Sequence, residues 1–204
     1  MNLMKNSFCQ PRQLIKFSDG TAALSTFARR FMTGMTLIEL MVVLSLIAIM
    51  MAIAIPSFTS VIQSNRVATE VNSFVGSLQF ARAEAIKQGL PVTICASSDG
   101  SNCLNSTIWN TGWIVFADPN NNKTHDASEP LFKVQPKWTN SDIFTGSNGI
   151  AAITYTRDGF ALGLTGTATL TLHTSPENAG ATRCVAINLV GKQQVQRPNG
   201  SNCT

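Results

Sequence analysis

The chain is poor in the residues and motifs that build hydrolytic, nucleotide-binding and metal sites. Its 204 residues include two histidines, His125 in a polar stretch and His173 at the end of an apolar one. It has no G-x-S-x-G nucleophile elbow, no H-E-x-x-H zinc motif and no G-x-x-x-x-G-K-[ST] phosphate loop. Gly159, Gly163 and Gly166 do not match a dinucleotide fingerprint, and turns are the ordinary use of such glycines. The five cysteines include no C-x-x-C pair, the spacing that zinc sites favour. The one enzyme reading these absences leave is a set of residues scattered along the sequence with no local signature. No cofactor is implied.

Net charge is also lacking where it would matter. The formal +4 sits wholly in residues 1–34, where Lys5, Arg12, Lys16, Arg29 and Arg30 stand against Asp19. Residues 35–204 carry ten basic and ten acidic side chains, so no global basic field steers them to nucleic acid. Such a partner would have to be met by a local patch.

What is present is a long apolar run. From Leu40 to Ile55 only Ser45 is polar, and Met35 to Ile38 extend the run. A bilayer takes roughly 20 mainly apolar residues as a helix. Arg29 and Arg30 just before the run keep the N-terminal side in the cytoplasm and export the rest. Glu39 does not suit a plain anchor, because a carboxylate in hydrocarbon costs on the order of 2.5–3.5 kcal/mol on insertion scales and calls for a partner.

Gly34 directly before the run, Glu39 five residues after it and Pro56 at its far end resemble the N-terminal signature of type IV pilins and type II secretion pseudopilins. The resemblance implies that a prepilin peptidase on the cytoplasmic face cuts after Gly34 and methylates the new amine of Met35. It implies that Glu39 pairs with the N-terminal amine of a neighbouring subunit in the filament. Met35 departs from the phenylalanine usual at that position. On this reading residues 1–34 are a leader, with no fold assigned, and 170 residues remain.

Beyond Pro56, which is expected to kink the helix, Val67, Val71, Phe74, Leu78, Ala81 and Ala85 recur at spacings of three and four and make one apolar face. Gly89 and Pro91 signal its stop. One helix is therefore predicted from Met35 to about Gln88, with a membrane and filament-core half (35–56) and an amphipathic half (57–89). Residues 90–204 turn rich in Thr, Val, Ile, Gly and Asn. Strands are read at 91–95, 112–117, 130–134, 150–156, 167–173 and 183–190, with a tight turn at Asp158-Gly159. The fold class is α+β: a pilin-like lollipop, with the long helix packed on an antiparallel sheet domain. Trp109 and Trp113 read as core aromatics.

Four cysteines lie on the exported side. An oxidising periplasm makes two disulfides the natural reading, and pairing Cys95 with Cys103 and Cys184 with Cys203 closes the shortest loops. Three connectivities are formally open, and a four-cysteine zinc site is the rival. Asp118, Asn120, Asn122, Asp126 and Glu129 fall at positions 1, 3, 5, 9 and 12 of an EF-hand-like spacing. Lys123 replaces the loop glycine and the flanks read as strands, which favours a plain Asn-rich hairpin loop with no metal.

The order of Phe80-Ala81-Arg82-Ala83-Glu84-Ala85-Ile86, Val92-Thr93-Ile94-Cys95, Ser98-Asp99-Gly100-Ser101-Asn102-Cys103, Trp109 and Gly112-Trp113-Ile114-Val115-Phe116-Ala117-Asp118 resembles one branch of the superfamily. This is the H pseudopilin (GspH) and FimT/FimU minor pilins, which share a domain. The resemblance implies a non-enzymatic subunit, single-pass in the bacterial inner membrane with a periplasmic C-terminal domain. Such a subunit is built into or onto the tip of a type II secretion pseudopilus or a type IV pilus. Its partners would be prepilin peptidase, other pilins through the N-terminal helix, and the inner membrane. The cleavage motif does not separate the two machines. The alternative is a FimT-like subunit that binds DNA for uptake. Arg183, Lys192 and Arg197 stand near the place of the basic C-terminal motif of such proteins, but Lys192 replaces an arginine and Arg197 comes late. The opposing reading is an edge strand blunted by charge.

Overall fold

Among the described residues one helix, α1 (Leu37–Gln88), runs for 52 residues and continues past Pro56. The computed structural model describes residues 34–198 and Cys203, so the leader expected at 1–34 lies, apart from Gly34, outside the described residues. The chain divides at Val43/Leu44 into two units, taken separately below. Proline at position 56 removes one backbone donor from the helix ladder. In the next turn the Thr59 hydroxyl donates to the Pro56 carbonyl at 2.9 Å, and the Ser60 hydroxyl to that of Ser57 at 2.8 Å. The helix ends as Gly89 and Pro91 predict. Gly89 takes φ +69°, and its N–H donates to the Ala85 carbonyl at 3.0 Å, a left-handed cap that suits glycine.

Among the described residues nine strands follow: β1 (Val92–Ala96), β2 (Gly112–Ala117), β3 (Leu131–Pro136), β4 (Ile143–Gly146), β5 (Ala152–Tyr155), β6 (Ala161–Leu162), β7 (Ala168–His173), β8 (Arg183–Ile187) and β9 (Gln193–Gln196). They form two antiparallel sheets, one ordered β3-β2-β1-β5-β6 and the other β4-β7-β8-β9. The six predicted strands all have counterparts, with ends shifted by a few residues. The short β4, β6 and β9 are additions. The architecture is α+β, one long helix with antiparallel sheets.

Strands β1 and β2 are buried along their whole length, because both faces of their sheet are covered. Val92, Ile94 and Ala96 face the main core together with Val67, Phe74 and Leu78 of α1. On the opposite face Cys95, Ile114 and Phe116 form a small second cluster, packed by Cys103 and Ala152. In the other sheet β7 alternates buried and half-buried residues, so Ala168, Leu170 and Leu172 join the main core alongside Val185 and Ile187 of β8. Gly112 allows the β2–β3 approach: it takes φ +106°, and a Cβ there would lie 2.5 Å from the Gln135 carbonyl oxygen.

Phe74 sits at the centre. Its ring meets Trp109, Trp113 and Phe144 edge to face, at centroid distances of 5.2, 5.2 and 4.8 Å. Trp113 belongs to β2 and Phe144 to β4, so one helical side chain joins both sheets. Trp109 Nε1 donates to the Ile150 carbonyl at 3.0 Å. Phe74→Ala is expected to cost about 3–5 kcal/mol, the range for a deleted core aromatic. Urea unfolding of the detergent-solubilised protein, followed by tryptophan fluorescence, measures it; a loss under about 1 kcal/mol contradicts this role.

A polar cluster lies on the same helical face. Arg66 grips the buried Asp142 with two bonds, Nε to Oδ2 at 2.7 Å and Nη2 to Oδ1 at 2.5 Å. One turn on, the Asn140 side-chain amide donates to Glu70 Oε1, while Glu70 Oε2 is buried without a protein partner. Burial pushes the Glu70 carboxyl up to about 7 against an ordinary 4.5; Asp142 adds to the rise, and Asn140 and Arg66 oppose it. The folded state therefore holds this proton more tightly than the unfolded state, and Glu70 costs stability as pH rises from 4.5 towards 7. Glu70→Gln is expected to flatten the fall of the urea midpoint across that window. An unchanged pH slope in the variant contradicts the assignment.

Candidate functional site

The residues before α1 are arranged as a helix cap. Gly34, Met35 and Thr36 precede the helix and are exposed. The Glu39 N–H donates to the Thr36 hydroxyl at 3.3 Å, and the Leu40 N–H to the Thr36 carbonyl at 3.1 Å. Thr36 is thus the N-cap and Glu39 the third helical residue, the T-x-x-E arrangement that satisfies free amides at a helix start. The motif is legible in the sequence and was missed there. Glu39 also lies in the first turn, where the helix dipole favours an anion. Among the described residues no cation forms an ion pair with it. A Cβ at Gly34 would meet no described atom within 4 Å, so no packing among the described residues calls for glycine there.

Every residue from Gly34 to Thr59 is exposed, Leu37 at 77% and Met50 at 73% among them. The most apolar stretch of α1 has a mean hydropathy of 2.7 with nothing buried, so by length and composition the helix is able to cross a membrane. Its nineteen residues from Leu37 to Ile55 rise about 28 Å at 1.5 Å each, close to the thickness of a hydrocarbon core.

The cysteines stand as two bridges, Cys95–Cys103 and Cys184–Cys203, each with a Cα separation of 5.6 Å. The first fastens the 97–103 loop over the small cluster of Ile114 and Phe116. Within that loop the Asn102 side chain and the N–H groups of Asn102 and Ser101 hold the Asp99 carboxyl well below the usual range. The second bridge ties the C-terminal segment to β8.

The three basic residues of the C-terminus do not make one patch. Arg183 Nη1 donates to the carbonyls of Gly180 and Thr182 at 2.9 and 2.7 Å, and burial followed by the nearby Arg197 lowers its pKa. The β8–β9 register pairs Cys184 with Gln196, which brings Arg183 and Arg197 to one end of the hairpin. Lys192 lies at the other end, on the turn into β9, and its N–H donates to Asn188 Oδ1 at 2.9 Å. The two ends are about 17 Å apart at 3.4 Å per strand residue. Strand β9 is the outer strand of its sheet.

In the loop from Asp118 to Glu129, Asp118 is fully buried and accepts from the Thr93 hydroxyl at 2.7 Å. Among the described residues no three of His, Cys, Asp and Glu gather into a ligand set. His125 is held between the Ser101 and Glu129 carbonyls at 2.7 and 3.1 Å. His173 ends β7. The sequence could not show the Arg66–Asp142 and Glu70–Asn140 contacts, whose partners are 76 and 70 residues apart.

Comparison with known proteins agrees with this geometry. The profile of the family described as Type II transport protein GspH matches residues 70–191, more than half of the chain, and the prokaryotic N-terminal methylation motif matches residues 29–55. No curated protein matches. Two crystal structures of the type IV minor pilin FimU of Pseudomonas aeruginosa are similar to this chain. In space group P21 the identity is 21% over 68% of this chain and 92% of that one, with a TM-score of 0.50. In space group P65 it is 19% over 65% and 91%, with a TM-score of 0.48. With its methylation motif, its long N-terminal helix and its antiparallel sheets, the chain belongs to the GspH family of pilin-like proteins.

Proposed function

We propose that the chain is cut by prepilin peptidase after Gly34 and N-methylated on Met35, and acts without any enzymatic activity of its own. Residues 35–56 then anchor it in the bacterial inner membrane, and residues 57–89 and 90–204 stand in the periplasm. On assembly the apolar helical half packs against other pilins or pseudopilins in a filament that serves protein secretion or pilus biogenesis. Family membership and the methylation motif support processing and assembly with other pilins in general. The observation that carries the finer reading is Glu39, an acid in the first turn of a helix whose surroundings are otherwise apolar and exposed.

The chemistry favours pairing between subunits. Cleavage would leave a cationic amine on Met35, beside a helix N-terminus that disfavours positive charge. Methylation keeps that charge. A carboxylate from a second copy or a related subunit would neutralise it, and the amine would in turn supply the partner that Glu39 needs in lipid. The exposed apolar residues around it would be removed from lipid or water by the same contact.

Two substitutions separate cutting from assembly. Gly34→Leu is expected to leave the leader attached and the unfolding midpoint unchanged, since the added side chain meets no described atom; a processed Gly34→Leu chain on membrane immunoblots contradicts recognition at this residue. Glu39→Val is expected to be processed normally but recovered at least tenfold less in sheared filaments. Normal recovery overturns the pairing.

A further inference from the structure

We propose that the surface around Arg82 docks a second copy of this chain, which meets it head to tail through the stripe Phe58, Val61 and Ile62 and through Glu177. Such a contact rests on the reading of the chain as a filament subunit. Arg82 stands near the end of α1 and reaches the 188–191 turn between β8 and β9. Its Nη2 donates to the Val190 carbonyl at 3.0 Å, and its Nε is buried without a partner. Among the described residues no carboxylate pairs with it. The guanidinium thus keeps its whole charge with most of its five donors unengaged, and a carboxylate is the group that suits it.

What surrounds this charge is apolar and open. Ile86, Phe160, Leu189 and Val190 are 49–53% exposed. A Cβ at Gly159 would lie 3.0 Å from Arg82 Nε and 3.1 Å from Ile86 Cδ1, so the 156–160 turn lies against the helix there. The Ala161 N–H donates to the Leu189 carbonyl at 3.0 Å, which ties that turn to the 188–191 turn. A Cβ at Gly191 would collide with the Gly159 carbonyl oxygen, so the two turns are as close as glycine permits. The four apolar residues therefore share one platform, made by the helix end and two tied turns, with Arg82 between them. A surface held in this way needs little ordering before it binds. Apolar neighbours also exclude water from an ion pair formed among them.

The chain itself carries the complement. Phe58, Val61 and Ile62 recur at helical spacing on α1 and are 67%, 52% and 49% exposed. Directly beyond them Gln63 Oε1 accepts the Asn178 side-chain amide at 2.7 Å, which brings the 174–180 loop to the helix beside this stripe. Glu177 on that loop is exposed and, among the described residues, makes no ion pair. From Gln63 to Arg82 the helix rises about 28 Å at 1.5 Å per residue, so the acid and the base stand too far apart to meet within one copy. The flanking charges keep the same sense. Arg183, which donates to the Gly180 carbonyl, stands at the Glu177 end, and the exposed Asp158 stands on the 156–160 turn at the Arg82 end. Two different patches that meet on identical molecules make a heterologous contact, and one that does not close on itself builds a filament.

Photo-crosslinking of the full-length chain in its own host tests the contact, with p-benzoylphenylalanine in place of Phe160. In sheared filaments the expected adduct has twice the mass of the chain and joins position 160 to residues 58–66 or 174–180. Glu177→Arg and Arg82→Glu are each expected to lower its yield about tenfold, and the double variant to restore it to within about twofold of wild type, a recovery that misfolding does not give. Leu189→Asp, at a half-exposed turn position, is expected to lower the yield as much with the urea midpoint unchanged. A double variant no better than either single one, no adduct in filaments that hold the chain, or an adduct only with a different protein overturns the contact. Absence of the chain from sheared filaments overturns the filament reading itself, and this contact with it.

Discussion

The insertion of Phe74 between Trp109, Trp113 and Phe144 is the contact on which the folded part of the chain depends. It joins α1 to a strand of each sheet, and the smaller residues Leu78, Ala81 and Ala85 continue the same face towards Gly89. The shrinking side chains let the sheets approach the helix closely. Arg66 and Glu70, two turns and one turn before Phe74, are fixed by Asp142 and Asn140 from a loop far away in sequence. The helical face is therefore clamped by packing at its centre and by polar contacts at its edge.

The same helix obeys a different solvent at its start. Nothing from Gly34 to Thr59 is buried, and this stretch contains sixteen large apolar residues that water does not tolerate as a surface. On the proposed function, a bilayer would satisfy them before assembly and the helices of neighbouring subunits afterwards. Glu39 makes these two situations unequal: in lipid it is a cost, and beside a cationic helix end it is a gain. On the proposed function, this one carboxylate would turn a membrane anchor into a segment that favours leaving lipid for a filament.

Much of this was legible in the sequence, for physical reasons that can be named. The helix was readable to its last turn because Gly89 and Pro91 punctuate it, and its buried face because Val67 to Ala85 keep the helical period. Strands β1 and β2 announced themselves as short apolar runs. The disulfide partners were readable as the pairs that close short loops. Strand β9 was not, because Gln-Gln-Val-Gln has no apolar alternation, and the strand exists through its pairing with β8. Strand β4 holds its place through Phe144 in the aromatic cluster and the β7 ladder, neither of which four residues can advertise. The three basic residues of the C-terminus lie close together in sequence, but the β8–β9 hairpin separates Lys192 from the Arg183 and Arg197 pair.

The most direct measurement is the intact mass of the protein from its own host membranes, taken without reduction. A chain that begins at N-methyl-Met35 and is four hydrogens lighter than its reduced form is the predicted result. It would establish cutting after Gly34, modification of the new amine and two disulfides on the exported side. A chain that retains residues 1–34 would contradict the central claim. The helix would then be an ordinary anchor, and Glu39 would have no subunit amine to meet.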